Sequence, residues 1–421
     1  MMLPDVYYES RSFLKGKNMY VWCEPEVLDF AAKKNYTIHV STETHLISLP
    51  FSDENAREFF SFFNDLSQHN PIVFGWNYKN LNSYFLGKVG KRLEFSKVYD
   101  LKIIESFHGE NAGKPQNFDE AKRRLAATPN FSKYKKLWQE IYWPLVDEVV
   151  PAIENTPLTD TDKRKMVYPY YEIEGQVNGR MKCNGALTAG YNPHSLTVQV
   201  KNALNPTGYE DNFVYFDYKS MEVLVLQWLS NDWGLKEIIN SDQDMYAGIW
   251  EKITGIACDE SKRKICKELF LPVVFGQGYK TTAQNFNFSE NTAKRLIDNI
   301  YSSFPNALEY VHKKTVNGQI SDYFGRIRKF EDEGSFRVRN FLIQSPAAVI
   351  CLHKLVKLYN KIKNISKICY HLHDGFCILV NNQNLKQVIA LGQQSLTEDS
   401  DLYPGLRLKV AVKTSKRLID I

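Results

Sequence analysis

The chain has 421 residues, 53 of them lysine or arginine against 48 acidic side chains, for a net charge of +5, and it is 43% hydrophobic and 13% aromatic. That composition excludes a disordered or low-complexity chain, and the length allows two or three domains with sizeable cores. No run of about 18 apolar residues appears, so no membrane span is expected. The mild basic balance suits a polyanionic partner without requiring one. The N-terminus lacks the layout of a secretory signal, and the seven cysteines form no CxxC pair, which points to reduced thiols in a cytoplasmic protein.

In chain order, residues 1 to about 115 read as a mixed α/β unit, with strands over 36–40 and 71–74 and a helix over 53–66. Helical spacing follows at 118–125 and 134–153. The polar stretch 155–165 then reads as a linker or short excursion. Beyond 166 the pattern is again α+β: apolar strands at 214–216 and 368–370 each run towards an aspartate, and amphipathic helices cover 260–270, 290–315 and 337–363. The expected fold class is α+β, with one domain over 1–138 and a second over 139–421.

Asp217 stands between a short apolar strand and a helical run, and Asp374 begins an Asp-Gly pair between two apolar strands, a strong hairpin signal. Singly, such residues are most often ordinary turn formers. Together they suit phosphoryl transfer, which needs carboxylates to hold two divalent ions about 3.5–4 Å apart. Magnesium favours oxygen ligands and keeps several waters, so two aspartates plus substrate phosphates suffice. Arg263, Lys267, Leu271, Phe275 and Tyr279 recur every fourth residue. A continuous helix would align them on one ridge, with cations at one end and aromatic rings at the other. Pro272 should kink that helix.

Around the aspartates, residues 216–230 resemble motif A of the family A (DNA polymerase I type) polymerases, and His373-Asp374 resembles their motif C. In the family's order there are also similarities at Gly179-Arg180-Met181, Asp244-Met245-Tyr246, Phe275 to Tyr279 (the end of motif B), Tyr323 to Arg328, and Asn340 to Ala348. The resemblance covers roughly residues 140–421. It implies a right-hand palm and fingers, with Asp217 and Asp374 catalytic and, with Tyr218, holding two magnesium ions, manganese being the alternative. It further implies triphosphate binding by Arg263 and Lys267, nucleotide packing by Phe275 and Tyr279, and a steric gate at Glu222 that excludes the ribose 2′-hydroxyl. Arg180, Asn340 and Gln344 are similar to the family's minor-groove and primer-terminus contacts, where acceptors shared by all base pairs are checked, and His373 would sit beside the primer end. The implied partners are primer–template DNA and deoxynucleoside triphosphates.

Three departures qualify the resemblance. Leu271 stands where DNA polymerases usually have lysine, Gly375 where they usually have glutamate, and the Arg263/Lys267 spacing is more like that of phage-type single-subunit RNA polymerases. Glu222 outweighs these, since the sugar pocket decides selectivity, and deoxynucleotide incorporation is expected. The alternatives are a single-subunit RNA polymerase or primase-like enzyme, and an inactive nucleic-acid-binding protein. Upstream, Ser41 to Thr44 and Trp76 to Leu81 resemble the first two motifs of a 3′–5′ exonuclease domain, of ribonuclease H-like fold, with serine and leucine where metal-binding aspartates belong. The third motif would fall near 131–135, without an aspartate, so this domain is expected to be degenerate and without proofreading. Only residues 155–178 remain for a thumb. Such a short thumb implies distributive synthesis, or a processivity partner that supplies the clamp. The whole resembles a phage or mobile-element type of enzyme.

Overall fold

The computed structural model describes residues 14–15, 17, 19–24, 35–42, 45–69, 73–95, 98–108, 120, 131–183, 192–207, 211–312, 315, 317–331 and 336–421. The helix expected over 118–125 lies, apart from Glu120, outside them, as do Glu43, Thr44, Pro71 and Ile72.

In the N-terminal unit β1 (Met19–Glu24), β2 (Asn35–Ser41), β3 (Leu46–Ser52), α1 (Ala56–Ser67), β4 (Val73–Gly75), α2 (Lys79–Val89), β5 (Val98–Asp100) and α3 (Leu101–Phe107) follow one another. The sheet order is β3-β2-β1-β4-β5, antiparallel through β1–β3 and parallel through β1, β4 and β5. Apolar residues at helical spacing on α1, including Phe59, Phe63 and Leu66, are buried. Phe59 packs on Phe51 of the sheet with ring centroids 4.8 Å apart, and such offset aromatic packing adds to simple area burial. Asp100 ends β5 fully buried, its carboxylate accepting from the amides of Asn77, Tyr78 and Lys102. It fastens the turn into α2.

One helical run, α4 (residues 135–154), follows, largely of wide π-type turns. The boundary expected at 138 therefore falls inside a helix. This run joins the halves: Lys79 of α2 reaches Glu154 at 2.7 Å with both side chains at most 2% exposed, and Glu154 also accepts from the Tyr171 amide. A buried ion pair is costly to break from one side, since the other charge is left stranded. One continuous apolar core runs from the N-terminal sheet through α4 to the C-terminal helices.

The stretch 155–165 is the short excursion, not the linker. It holds β6 (Leu158–Asp160) and the start of β7 (Lys165–Val167), which form a hairpin, followed by the short pair β8 (Tyr171–Glu172) and β9 (Lys182–Cys183). Of the polar residues that suggested a linker, 161–165 are the hairpin's exposed tip, while Thr156 and Asp160 are buried with Leu158 and Val167. After α5 (Val198–Ala203) and β10 (Leu204–Asn205), which adds to β6, comes β11 (Asp211–Tyr218). Helices α6 (Met221–Ser230), α7 (Trp233–Asn240), α8 (Met245–Thr254), α9 (Glu260–Val274), α10 (Tyr279–Phe286), α11 (Glu290–Ser303) and α12 (Pro305–Val311) pack as a block. The helix expected over 290–315 is thus two, broken before Pro305, which suits a first helical turn because its missing amide has no partner there anyway.

The hairpin strands β12 (Gln319–Ser321) and β13 (Ile327–Lys329) lead to α13 (Phe336–Ile362). This helix is long and apolar enough to cross a membrane, but 89% of its apolar window is buried inside the protein, so it is the core helix. Finally β14 (Lys367–Leu372), β15 (Gly375–Asn381), α14 (Leu385–Thr397) and β16 (Val410–Ser415) complete a four-stranded antiparallel sheet in the order β14-β15-β11-β16. All seven cysteines are free thiols.

Candidate active site

Along β11 the burial alternates: Val214, Phe216 and Tyr218 turn to the core, while Tyr215 and Asp217 are half-buried on the opposite face. Asp217 lies in the middle of the sheet, opposite Gly375 on β15 and Ala411 on β16. The β14–β15 hairpin closes at Leu372–Gly375, so its two connecting residues are His373 and Asp374. The expected Asp-Gly turn is shifted by one residue. The positive φ is taken by His373, at 29°, while Gly375 is already strand. The Tyr218 amide donates to the Asp374 carbonyl at 3.2 Å, which fixes the two aspartates on adjacent backbones.

Burial and the neighbouring Asp374 push the Asp217 carboxyl up to about 6, against the opposing charges of Lys267 and Lys413. Asp374 is raised too, by burial, with Arg180 and Lys267 pulling it back. Two carboxylates that resist joint ionisation fit a divalent cation, and their hard oxygens suit magnesium. Tyr218 can contribute only its backbone carbonyl, because its side chain is buried and donates to the Leu396 carbonyl at 2.9 Å. Lys267 lies near enough for its charge to act on both aspartates, and among the described residues it makes no ion pair of its own.

Arg180 and Glu222 are brought together, guanidinium to carboxylate at 2.6 Å. Glu222 is carried by the first turn of α6, which Ser220 opens in a left-handed conformation, φ 54°. Asn178 links this segment to α13 through Gln344 at 3.1 Å. Asn340, one turn earlier on that helix, has a buried side-chain oxygen with no partner among the described residues. His373 packs against His194 with ring centroids 4.6 Å apart and the planes tilted by 45°, and burial beside Arg180 and His194 drops its pKa to about 4, so the ring is neutral.

The ridge from Arg263 to Tyr279 is not one helix. α9 carries Arg263, Lys267 and Leu271 and passes through Pro272, but it stops at Val274 with Phe275 as its cap. Gly276 then takes φ 105°, and Tyr279 opens α10, 39% exposed. A left-handed glycine ends the helix where four-residue spacing alone predicts its continuation. Arg263 is engaged with Asp244 at 2.9 Å, whereas Lys267 makes no ion pair among the described residues.

Two of the site's residues carried no motif in the sequence, and a third stands in the Tyr323 to Arg328 motif without a role read from it. Lys413 on β16 stands opposite Tyr215 and acts on Asp217. His194 comes from a short turn whose only signal is an Asn-Pro pair. Arg326, fully buried, binds Glu174 and Asp322 and donates to the Asn178 carbonyl at 3.2 Å, anchoring the segment that presents Arg180.

Comparison with known proteins identifies the family. The profile described as DNA polymerase family A matches residues 131–419, more than half of the chain. The chain is 23% identical to DNA polymerase theta of Drosophila melanogaster over 247 residues, 52% of this chain and 12% of that protein. It is 28% identical to DNA polymerase I of Chloroflexus aurantiacus over 127 residues, 28% of this chain and 14% of that protein. With the thermostable DNA polymerase I of Thermus thermophilus, identity is 20% over 298 residues, 64% of this chain and 36% of that protein. The matched regions are thus a minor part of these relatives' length. With Asp217 on the sheet beside the turn that carries Asp374, and a profile match spanning both, the chain belongs to DNA polymerase family A.

Proposed function

We propose that this chain is a DNA-directed DNA polymerase that adds deoxynucleotides to a primer 3′ end by two-metal-ion chemistry. The observation that carries the reading is the pairing of Asp217 with the strand residue that follows Asp374, under the charge of Lys267. When bound, two divalent ions activate the primer hydroxyl and hold the leaving pyrophosphate. The chain's own residues then have distinct work. Asp217, Asp374 and the Tyr218 carbonyl hold the ions. Lys267, and Arg263 once released from Asp244, neutralise the triphosphate, with Phe275 and Tyr279 beside the base. Arg180, Asn340 and Gln344 hold the primer end from the minor groove, and neutral His373 lies against it. The names of the relatives, all DNA polymerases, support deoxynucleotide chemistry.

The four-stranded sheet with Asp217, and the turn with Asp374, is read as the palm, α9 as the fingers, and residues 155–178, with β6 to β8, as the reduced thumb. In the N-terminal unit, the order β3-β2-β1-β4-β5 with its mixed strand directions supports a ribonuclease H-like, exonuclease-type fold. There Ser41 and Leu81 are buried and supply no carboxylate, which supports the absence of proofreading. The short thumb supports distributive synthesis or a clamp-supplying partner protein.

Primer extension with magnesium, comparing deoxy- and ribonucleotides and wild type with Asp374→Ala, tests the whole reading; a wild type that extends nothing overturns it. Glu222→Ala should raise ribonucleotide incorporation about tenfold or more, the scale of one pocket contact. An unchanged preference removes the gate assignment. A further expectation concerns pH. Because Asp217 holds its proton up to about 6, a cation must displace that proton at lower pH. Metal affinity, measured by calorimetry, should be level above that value and fall about tenfold per unit below it. A flat profile from pH 5 to 7 contradicts this.

A further inference from the structure

Tyr215 and Gly375 fit each other beside the paired aspartates. Tyr215 precedes Asp217 by two residues on β11, on the same face of the sheet, and their partners across β15 are Cys377 and Gly375. A Cβ placed on Gly375 would fall within the Tyr215 hydroxyl and 2.6 Å from the ring carbon Cζ that bears it. Any side chain following Asp374 is therefore incompatible with Tyr215 in its place. Gly375 does not have a positive φ, so the turn does not demand glycine there; the tyrosine does. The ring is half-buried and packs against the small cluster of Phe213, Cys369 and Cys377, which holds it in position. Its hydroxyl makes no hydrogen bond to any described residue, yet it is not sealed from solvent. A phenol oriented by packing, without a protein partner, at the edge of two acidic side chains has its donor free for something that arrives there.

We propose that Tyr215 is a positioning residue of the metal site. Its O–H donates to a water or substrate oxygen that completes the coordination of a divalent ion held by Asp217 and Asp374. The inference rests on the polymerase reading. Magnesium keeps several waters when bound by few carboxylates, and those waters need acceptors and donors around them. Groups that orient such ligands from the second layer are commonly worth tenfold to a hundredfold in metal affinity. The exchange places a neutral donor where a side chain at 375 would otherwise enter, so the site keeps its charge at two carboxylates.

The test uses the full chain and manganese as the probe, with binding followed by electron paramagnetic resonance without DNA, alongside the magnesium dependence of primer extension. Tyr215→Phe keeps the ring and its packing and loses only the hydroxyl. It should weaken manganese binding about tenfold and raise the magnesium needed for half-maximal extension by a similar factor, with the unfolding temperature of the metal-free protein unchanged. Gly375→Ala should give the same shift in the wild-type background, because it displaces the hydroxyl, and no further shift on top of Tyr215→Ala, the non-additivity expected of residues acting as one unit. Manganese affinity in Tyr215→Phe within twofold of wild type overturns the proposal, as does strict additivity of the position 375 and 215 changes. If Tyr215→Phe binds as wild type while Asp374→Ala loses binding, this inference fails and the polymerase reading stands. A wild type that binds no manganese and extends no primer overturns both.

Discussion

Asp374→Ala should lower primer extension by at least about 10³-fold, some 4 kcal/mol of lost transition-state stabilisation, while leaving the fold intact. The large effect follows from the site's economy. Among the described residues no third acidic side chain joins the pair, so the loss of one removes half of the carboxylate ligands. The same change should leave the metal-free protein as stable as wild type or more so at neutral pH, and the sign comes from Asp217. Its carboxyl is raised from 3.8 to about 6 in the folded chain, by burial and by Asp374. Between those values the folded state binds more protons than the unfolded state, so its contribution to stability falls as pH rises through that window and stays lost above it. Removing Asp374 relieves part of this cost, and solvent screening of a half-exposed group keeps the gain small. Thermal unfolding in chelator at pH 5 and pH 7, with extension assayed in parallel, checks both halves. Activity within tenfold of wild type, or a variant that unfolds in chelator before wild type at pH 7, contradicts the account.

Arg326→Met should destabilise the protein by about 3–5 kcal/mol, the usual cost of breaking a buried ionic network from one side. That is a large share of a typical domain's stability. Arg326 is fully buried, with Glu174 at 1% and Asp322 at 0% side-chain exposure. Its guanidinium also donates to the Tyr142 hydroxyl at 2.9 Å and to the Asn178 and Ser345 carbonyls. Methionine fills the volume but leaves the buried Asp322 carboxylate without an ionic partner and Glu174 with Arg328 alone. Gly179, with φ 79°, leaves room for the guanidinium, whose Cζ would lie 2.7 Å from any Cβ there. Since the network ties α4, the Asn178–Arg180 segment and α13, its loss should weaken primer binding as well. The double variant Arg326→Met/Asp322→Asn, which keeps Glu174 paired with Arg328 at 3.2 Å, should recover much of the stability without recovering primer binding. Denaturant unfolding of the two variants separates the effects. A single variant within about 1 kcal/mol of wild type would show the network to be dispensable.

Much of this molecule is legible locally. The strands around 36–40, 214–216 and 368–370, the helix over 53–66 and the long helix over 337–363 follow from periods of two and of 3.6 residues, and the structure has each of them. The order of short motifs around Asp217 and Asp374 was sufficient for the family, which the profile match to residues 131–419 bears out. Errors arose where a local signal had a non-local cause. The Asp-Gly pair reads as a turn, but its glycine answers to Tyr215 on another strand. The four-residue ridge reads as one helix, but Gly276 interrupts it under the guanidinium of Arg339. The polar stretch 155–165 reads as linker or excursion alike, because a hairpin tip and a linker have the same composition.

By itself, the sequence determined the element types, the acidic pair and the family, because backbone propensity, side-chain period and motif order are properties of neighbouring residues. Only the tertiary structure decided that Arg180 pairs with Glu222, that Lys413 and His194 join the site, and that Arg326 anchors it. These contacts span from tens of residues to nearly two hundred. They depend on strand register and helix packing, and no spacing along the chain encodes which distant charge or ring will arrive opposite.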